Sequence, residues 1–169
     1  MIAEPLSLAL GAAAALLAYP LWTVIHEASH LAAARALGPL RDVELWLYPH
    51  RDEGGNFFFA RVKWRWDPPL RPSPLQVAAV VLAPRLADLL GAVGFVLCAA
   101  FVPAPWLLAA LALTGGALVD LFVGSLGVGE LTDLRRASTV LDLSPWLLRG
   151  VGMGVLLASL ALGLALALT

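Results

Sequence analysis

Charge is what this chain has least of. Only 14% of its 169 residues are charged and 60% are hydrophobic, where a soluble domain carries about 25% charged and 45–50% apolar residues. That shortfall argues against a water-soluble globule, because long Leu, Ala, Val and Gly runs offer water no polar face. Cysteine is nearly missing as well. Cys98 stands alone, so no disulfide forms within the chain. The opening residues MIAEPLSLALG contain an acid and no base, which argues against a cleavable signal peptide. No internal repeat is evident, the net charge of −1 says little, and no nucleic-acid partner is expected.

The apolar residues gather in four runs, each long enough to supply the about 20 residues needed to cross a bilayer. They extend from about Leu6 to Leu37, Leu75 to Phe101, Trp106 to Leu126 and Trp146 to Leu168. Gly38-Pro39 stops the first, Pro103 and Pro105 make a tight turn after the second, and Ser144-Pro145 opens the fourth, a polar cap before a proline at the first helical position. Glycine and alanine within the runs permit close helix packing in lipid. The expected fold is an all-α integral membrane protein, a single membrane domain over residues 1–169, with about four transmembrane helices.

Basic residues are unevenly placed. Arg41, Arg51, Arg61, Lys63, Arg65 and Arg71 lie between the first two spans, and Arg135 and Arg136 between the last two. The N-terminal tail, the Pro103–Pro105 turn and the C-terminus have none. Both basic loops are therefore expected in the cytoplasm and both termini outside. Arg85 is the only basic residue well inside a span.

One segment between spans, about residues 42–67, does not read as membrane helix. It is rich in aromatic and β-branched residues around Glu53-Gly54-Gly55-Asn56, which suggests a β-hairpin. In its second half Val62, Trp64 and Trp66 share one face and Arg61, Lys63 and Arg65 the other. Such a hairpin suits the headgroup level of the lipid bilayer. Its edge can also pair with an extended peptide.

The first span holds the unusual group, His26-Glu27-Ala28-Ser29-His30. On a helix the two histidines are i and i+4, with Cβ atoms about 5–6 Å apart on one face, and can share one zinc ion. Glu27 then stands where a carboxylate acts as general base towards water. The plainer alternative is a pair of histidines satisfied by helix–helix hydrogen bonds. Three ionisable groups in five residues tell against it, since each charged group at mid-bilayer costs about 2.5–3.5 kcal/mol.

A catalytic zinc wants a third protein ligand, and no further histidine follows closely. His50, the remaining one, lies in the hairpin. Asp88, Asp120, Glu130 and Asp133 are the acidic choices, and depth in the bilayer favours Asp133 or Glu130 over Asp88, with Asp120 intermediate. Asp88 and Arg85 are also spaced to form an i, i+3 ion pair.

HEASH in the first span, LAPRLADLL in the second and VDLFVGSLGVGELTDLRRA at the end of the third together resemble the site-2 protease family of intramembrane zinc metalloproteases, in its small bacterial form without a PDZ domain. The resemblance covers roughly Leu6 to Arg136. It implies one Zn2+ held by His26, His30 and Asp133, with Glu27 as catalytic base. Asp120 would stand where the family's asparagine holds substrate or oxyanion, and Asp88 replaces the asparagine of the second element. Leu134 follows Asp133 where the family has glycine, and Val123 stands in place of proline. Asp120 and Glu130 remain rival ligands. The implied function is an endopeptidase of the bacterial cytoplasmic membrane that cleaves membrane-protein substrates in or near their spanning segments, its active site towards the cytoplasm. A non-proteolytic zinc-binding membrane regulator is the alternative. A metal-ion transporter fits less well, because the outer parts of the spans lack ionisable residues.

Overall fold

In a computed structural model the chain is mostly helical; the structure describes residues 5–51, 54–55, 57–58, 60–67, 72–103, 105–126 and 133–167. Four helices are long and apolar enough to cross a membrane: α1 (Pro5–Leu37), α2 (Pro74–Phe101), α3 (Leu107–Leu126) and α5 (Pro145–Ala167). Their ends follow the local chemistry. Ser73 caps α2 in a reciprocal capping box with Gln76, and Pro74 takes the first helical position, where its missing N–H is not needed. Their outward faces carry large exposed apolar side chains, among them Leu16 and Leu17 on α1, Leu86 and Leu90 on α2, and Leu157 and Leu164 on α5. Soluble proteins rarely expose so many large apolar side chains.

The interior is built from small residues. Ala14, Ala18 and Ala34 of α1, Ala78 and Ala92 of α2 and Ala117 of α3 are all buried, so the backbones approach closely. Ala92, Leu118, Leu121 and Leu156 form a core joining α2, α3 and α5, with Phe95 and Met153 against it.

The segment between α1 and α2 folds as an antiparallel hairpin. Strand β1 (Leu40–Trp46) pairs with β4 (Arg61–Trp66), with a bulge between Arg41 and Glu44. Nearer the tip, β2 (His50–Arg51) pairs with β3 (Phe57–Phe58), and Gly55 turns the chain at φ 79, a region open to glycine. Val62, Trp64 and Trp66 are half-buried while Lys63 and Arg65 are exposed. The inward face rests on α1, where the Trp66 indole donates to the Ala34 carbonyl at 3.1 Å.

A fifth helix has no counterpart in a reading based on apolar runs. α4 (Asp133–Leu141) is too short and too polar to register as a span. Its Leu134, Ala137 and Ser138 are buried at i, i+3 and i+4, the spacing of one helical face. It ends with Asp142 in the left-handed region at φ 54 and the Leu143 N–H returning to the Ser138 carbonyl at 2.9 Å, a Schellman closure.

Candidate metal centre

His26 and His30 lie one turn apart on α1 with ring centroids 5.2 Å apart. A neighbouring helix holds each ring by its Nδ1. The His30 Nδ1 is 2.9 Å from the Val80 carbonyl; a carbonyl only accepts, so Nδ1 carries a hydrogen and donates it, and Nε2 faces away from α2. That carbonyl is available because Pro84, inside α2, has no N–H to close the bond back to residue 80. His26 Nδ1 is 2.7 Å from Asp120 Oδ2 on α3, the carboxylate–histidine pairing that fixes a ligand's tautomer and orientation.

Both Nε2 atoms therefore point the same way, and Asp133 meets them. Its Oδ2 is 3.0 Å from His26 Nε2 and its Oδ1 is 3.4 Å from His30 Nε2. Among the described residues these three form the one histidine and carboxylate group able to hold a metal ion. Three ligands bonded at about 2.0–2.1 Å around a tetrahedral ion stand about 3.3–3.4 Å apart, and the spacing here is close to that. Lone pairs of two imidazoles and a carboxylate repel one another at such distances unless a proton or a cation lies among them. A two-nitrogen, one-oxygen donor set suits zinc and its transition-metal neighbours. Burial by itself would raise the Asp133 carboxyl. Hydrogen bonding with His26 and His30 outweighs that and holds it well below the usual carboxylate range.

Arg85 of α2 extends beside these groups with its side chain 12% exposed. Its Nη1 donates to Asp88 Oδ2 at 2.6 Å and to the Asp120 backbone carbonyl at 3.0 Å. Its Nη2 is 3.6 Å from Asp133 Oδ2. Gly124 makes room, since a Cβ there would run into the guanidinium. Trp22, one turn before His26, fixes the other side. Its indole donates to the Leu113 carbonyl at 2.6 Å and fills a slot that exists only because Gly91 and Gly116 have no side chains.

His26, Glu27, His30 and Asp133 line one cavity of about 1220 Å³. The Glu27 carboxylate faces the Val62 backbone amide of β4, and the Trp64 ring lies 6.2 Å from that of His30. Hairpin residues line the cavity too, as do Ala15, Ala18, Ala112 and Gly115.

Of the acidic residues weighed from sequence, Asp133 reaches the Nε2 side of the histidines, and Asp120 lies behind His26 on the Nδ1 side. Asp88 is paired with Arg85, its side chain 2% exposed. Glu130 lies outside the described residues. His50 sits in β2 near the hairpin tip, in a separate strand pair from β4. Sequence reasoning missed Arg85 as a neighbour of the site, although its isolation inside a span was the available signal. The Val80 carbonyl was missed too, although Pro84 four residues later announces a free acceptor. Compared with protein-family models, curated proteins and solved structures, the chain matches none.

Proposed function

We propose that this protein is a zinc-dependent intramembrane endopeptidase resembling the site-2 proteases. One observation carries the reading: two imidazole nitrogens and the Asp133 carboxylate converge at 3.0 and 3.4 Å, on a cavity that Glu27 also lines. Zinc held by His26, His30 and Asp133 would polarise the scissile carbonyl and acidify water. Glu27 takes the proton from the attacking water and returns it to the departing amine. Asp120 and the Val80 carbonyl keep both imidazoles turned towards the ion.

The helices lie in a lipid bilayer, with the basic loops on the cytoplasmic side. At about 1.5 Å per residue, the 33 residues of α1 extend about 50 Å, beyond an apolar layer of about 30 Å. The end bearing His26 and His30 therefore approaches the cytoplasmic boundary, where Trp64 and Trp66 suit the interface and water can enter. A peptide must be extended to be cut, since a helix keeps its carbonyls bonded. The β4 strand beside Glu27 offers an edge for such a peptide, and the small residues lining the cavity receive the part of the substrate that stays in the membrane.

The test combines zinc stoichiometry with cleavage of a reporter spanning peptide in detergent or liposomes, with and without a chelator. We expect about one zinc per chain, chelator-sensitive cleavage, and a Glu27→Gln variant that keeps zinc and loses cleavage. Zinc binding without cleavage by the unaltered protein would favour the regulator reading. Full activity of Glu27→Gln would remove the assigned base.

A further inference from the structure

The resemblance to the zinc proteases leaves Arg85 without a role, and its surroundings supply one. The guanidinium is half-buried beside three carboxylates from three helices. An arginine that merely neutralised Asp88 one turn away would need only the 2.6 Å contact on its own helix. Arg85 does more. Nη1 also holds the Asp120 backbone carbonyl at 3.0 Å, and Nη2 reaches across to Asp133 Oδ2 at 3.6 Å, the same oxygen that faces His26 Nε2 at 3.0 Å. Gly124 on α3 leaves the space in which the guanidinium lies.

Asp133 needs such support. His26 and His30 sit on one continuous helix, whereas Asp133 is the first residue of a separate short helix. Its carboxyl group lies in a poorly solvated place, 15% exposed, where a guanidinium at 3.6 Å favours the charge a ligand must carry.

Resting on the zinc-centre reading, we propose that Arg85 is a positioning residue for the metal centre: its guanidinium braces Asp133 on α4 against α2 and α3 so that the third ligand is in place before the ion arrives. Its planar fork serves Asp88 and the Asp120 carbonyl with one nitrogen and Asp133 with the other. The single ammonium of lysine cannot replace that arrangement in full.

The experiment uses the full chain purified in detergent. Zinc affinity is read by competition with a chromogenic chelator. The visible absorption of the cobalt-substituted protein reports ligand geometry, and circular dichroism and thermal melting report folding. Losing an outer partner of a metal ligand lowers metal affinity about 10–100-fold. Arg85→Gln should fall in that range with an altered cobalt spectrum, and Arg85→Lys should recover part of the loss. Gly124→Ala keeps the charge but displaces the guanidinium, so it should also weaken zinc and change the cobalt spectrum. It decides the matter with Arg85→Lys should Arg85→Gln fail to fold. Folded variants with wild-type zinc affinity and cobalt spectrum would overturn the role, as would lowered melting temperature with unchanged affinity. If the unaltered protein binds zinc but does not cleave, the protease reading fails and the role of Arg85 stands. If it binds no zinc, both fall.

Discussion

Truncating Asp120 separates two roles for that residue. The resemblance would place it at the substrate, whereas its contact in the structure is with His26 Nδ1 at 2.7 Å. A hydrogen bond to a charged partner contributes about 1.5–3 kcal/mol. The Asp120 side chain is 25% exposed, so water makes good part of the loss, and the lower half of that range applies. About 1.5–2 kcal/mol corresponds to about a 10–30-fold change in an equilibrium constant. Asp120→Ala should therefore bind zinc about 10–30-fold more weakly, because the imidazole is no longer held in one tautomer and one orientation. The Arg85 contact with the Asp120 backbone carbonyl survives the truncation, whereas the longer approach of Arg85 Nη1 to Asp120 Oδ2 at 3.8 Å is lost together with the histidine contact. Asp120→Asn keeps an oxygen acceptor and should fall between. Competition with a chelator in detergent gives the affinities, and peptide cleavage at saturating zinc gives KM and kcat. Unchanged zinc affinity with a raised KM would refute the assignment and move Asp120 to the substrate.

Two further outcomes follow from the same geometry. Asp133→Ala should purify with zinc well below one per chain, and full occupancy on elemental analysis would show that the ion is held elsewhere. Gly116→Ala drives a methyl group into the Trp22 ring, which should destabilise the protein by about 1–3 kcal/mol by overpacking. In a Trp22→Leu background the same change should cost much less, and equal costs in the two backgrounds on denaturant unfolding would mean that Trp22 does not occupy the slot.

The elements legible in the sequence are those with a local signature. Four apolar runs gave four helices within a residue or two, because lipid-crossing length and proline or glycine punctuation are written in consecutive residues. The alternation of Val62, Trp64 and Trp66 with charged neighbours was enough to orient β4, and the spacing of His26 and His30 was enough to pair the imidazoles. What stayed hidden depends on residues far apart in the chain. The Trp22 slot needs Gly91 and Gly116 from two other helices, and nothing at those positions alone names the indole that fills it. Asp133 could be favoured over Asp88 by depth, yet the helix that carries it is amphipathic over nine residues and invisible to a search for spans. Arg85 was legible as the partner of Asp88, since i, i+3 spacing is local. Its reach to Asp133 was not, because that contact depends on how α2 and α4 meet.

A proline in the middle of a helix is usually counted as damage, a rung taken out of the ladder. In α2 the missing rung works as a keyway. Along that face the other carbonyls are committed to their own helix, and the one beside Pro84 is left to engage His30. A slip of α1 past α2 by one turn, about 5.4 Å, would bring the imidazole to a carbonyl already in use. The alignment of the two helices and the aim of the His30 ring thus share one fastening. A change that loosens the helix pair therefore loosens the hold on that imidazole, however far from the histidines it is made.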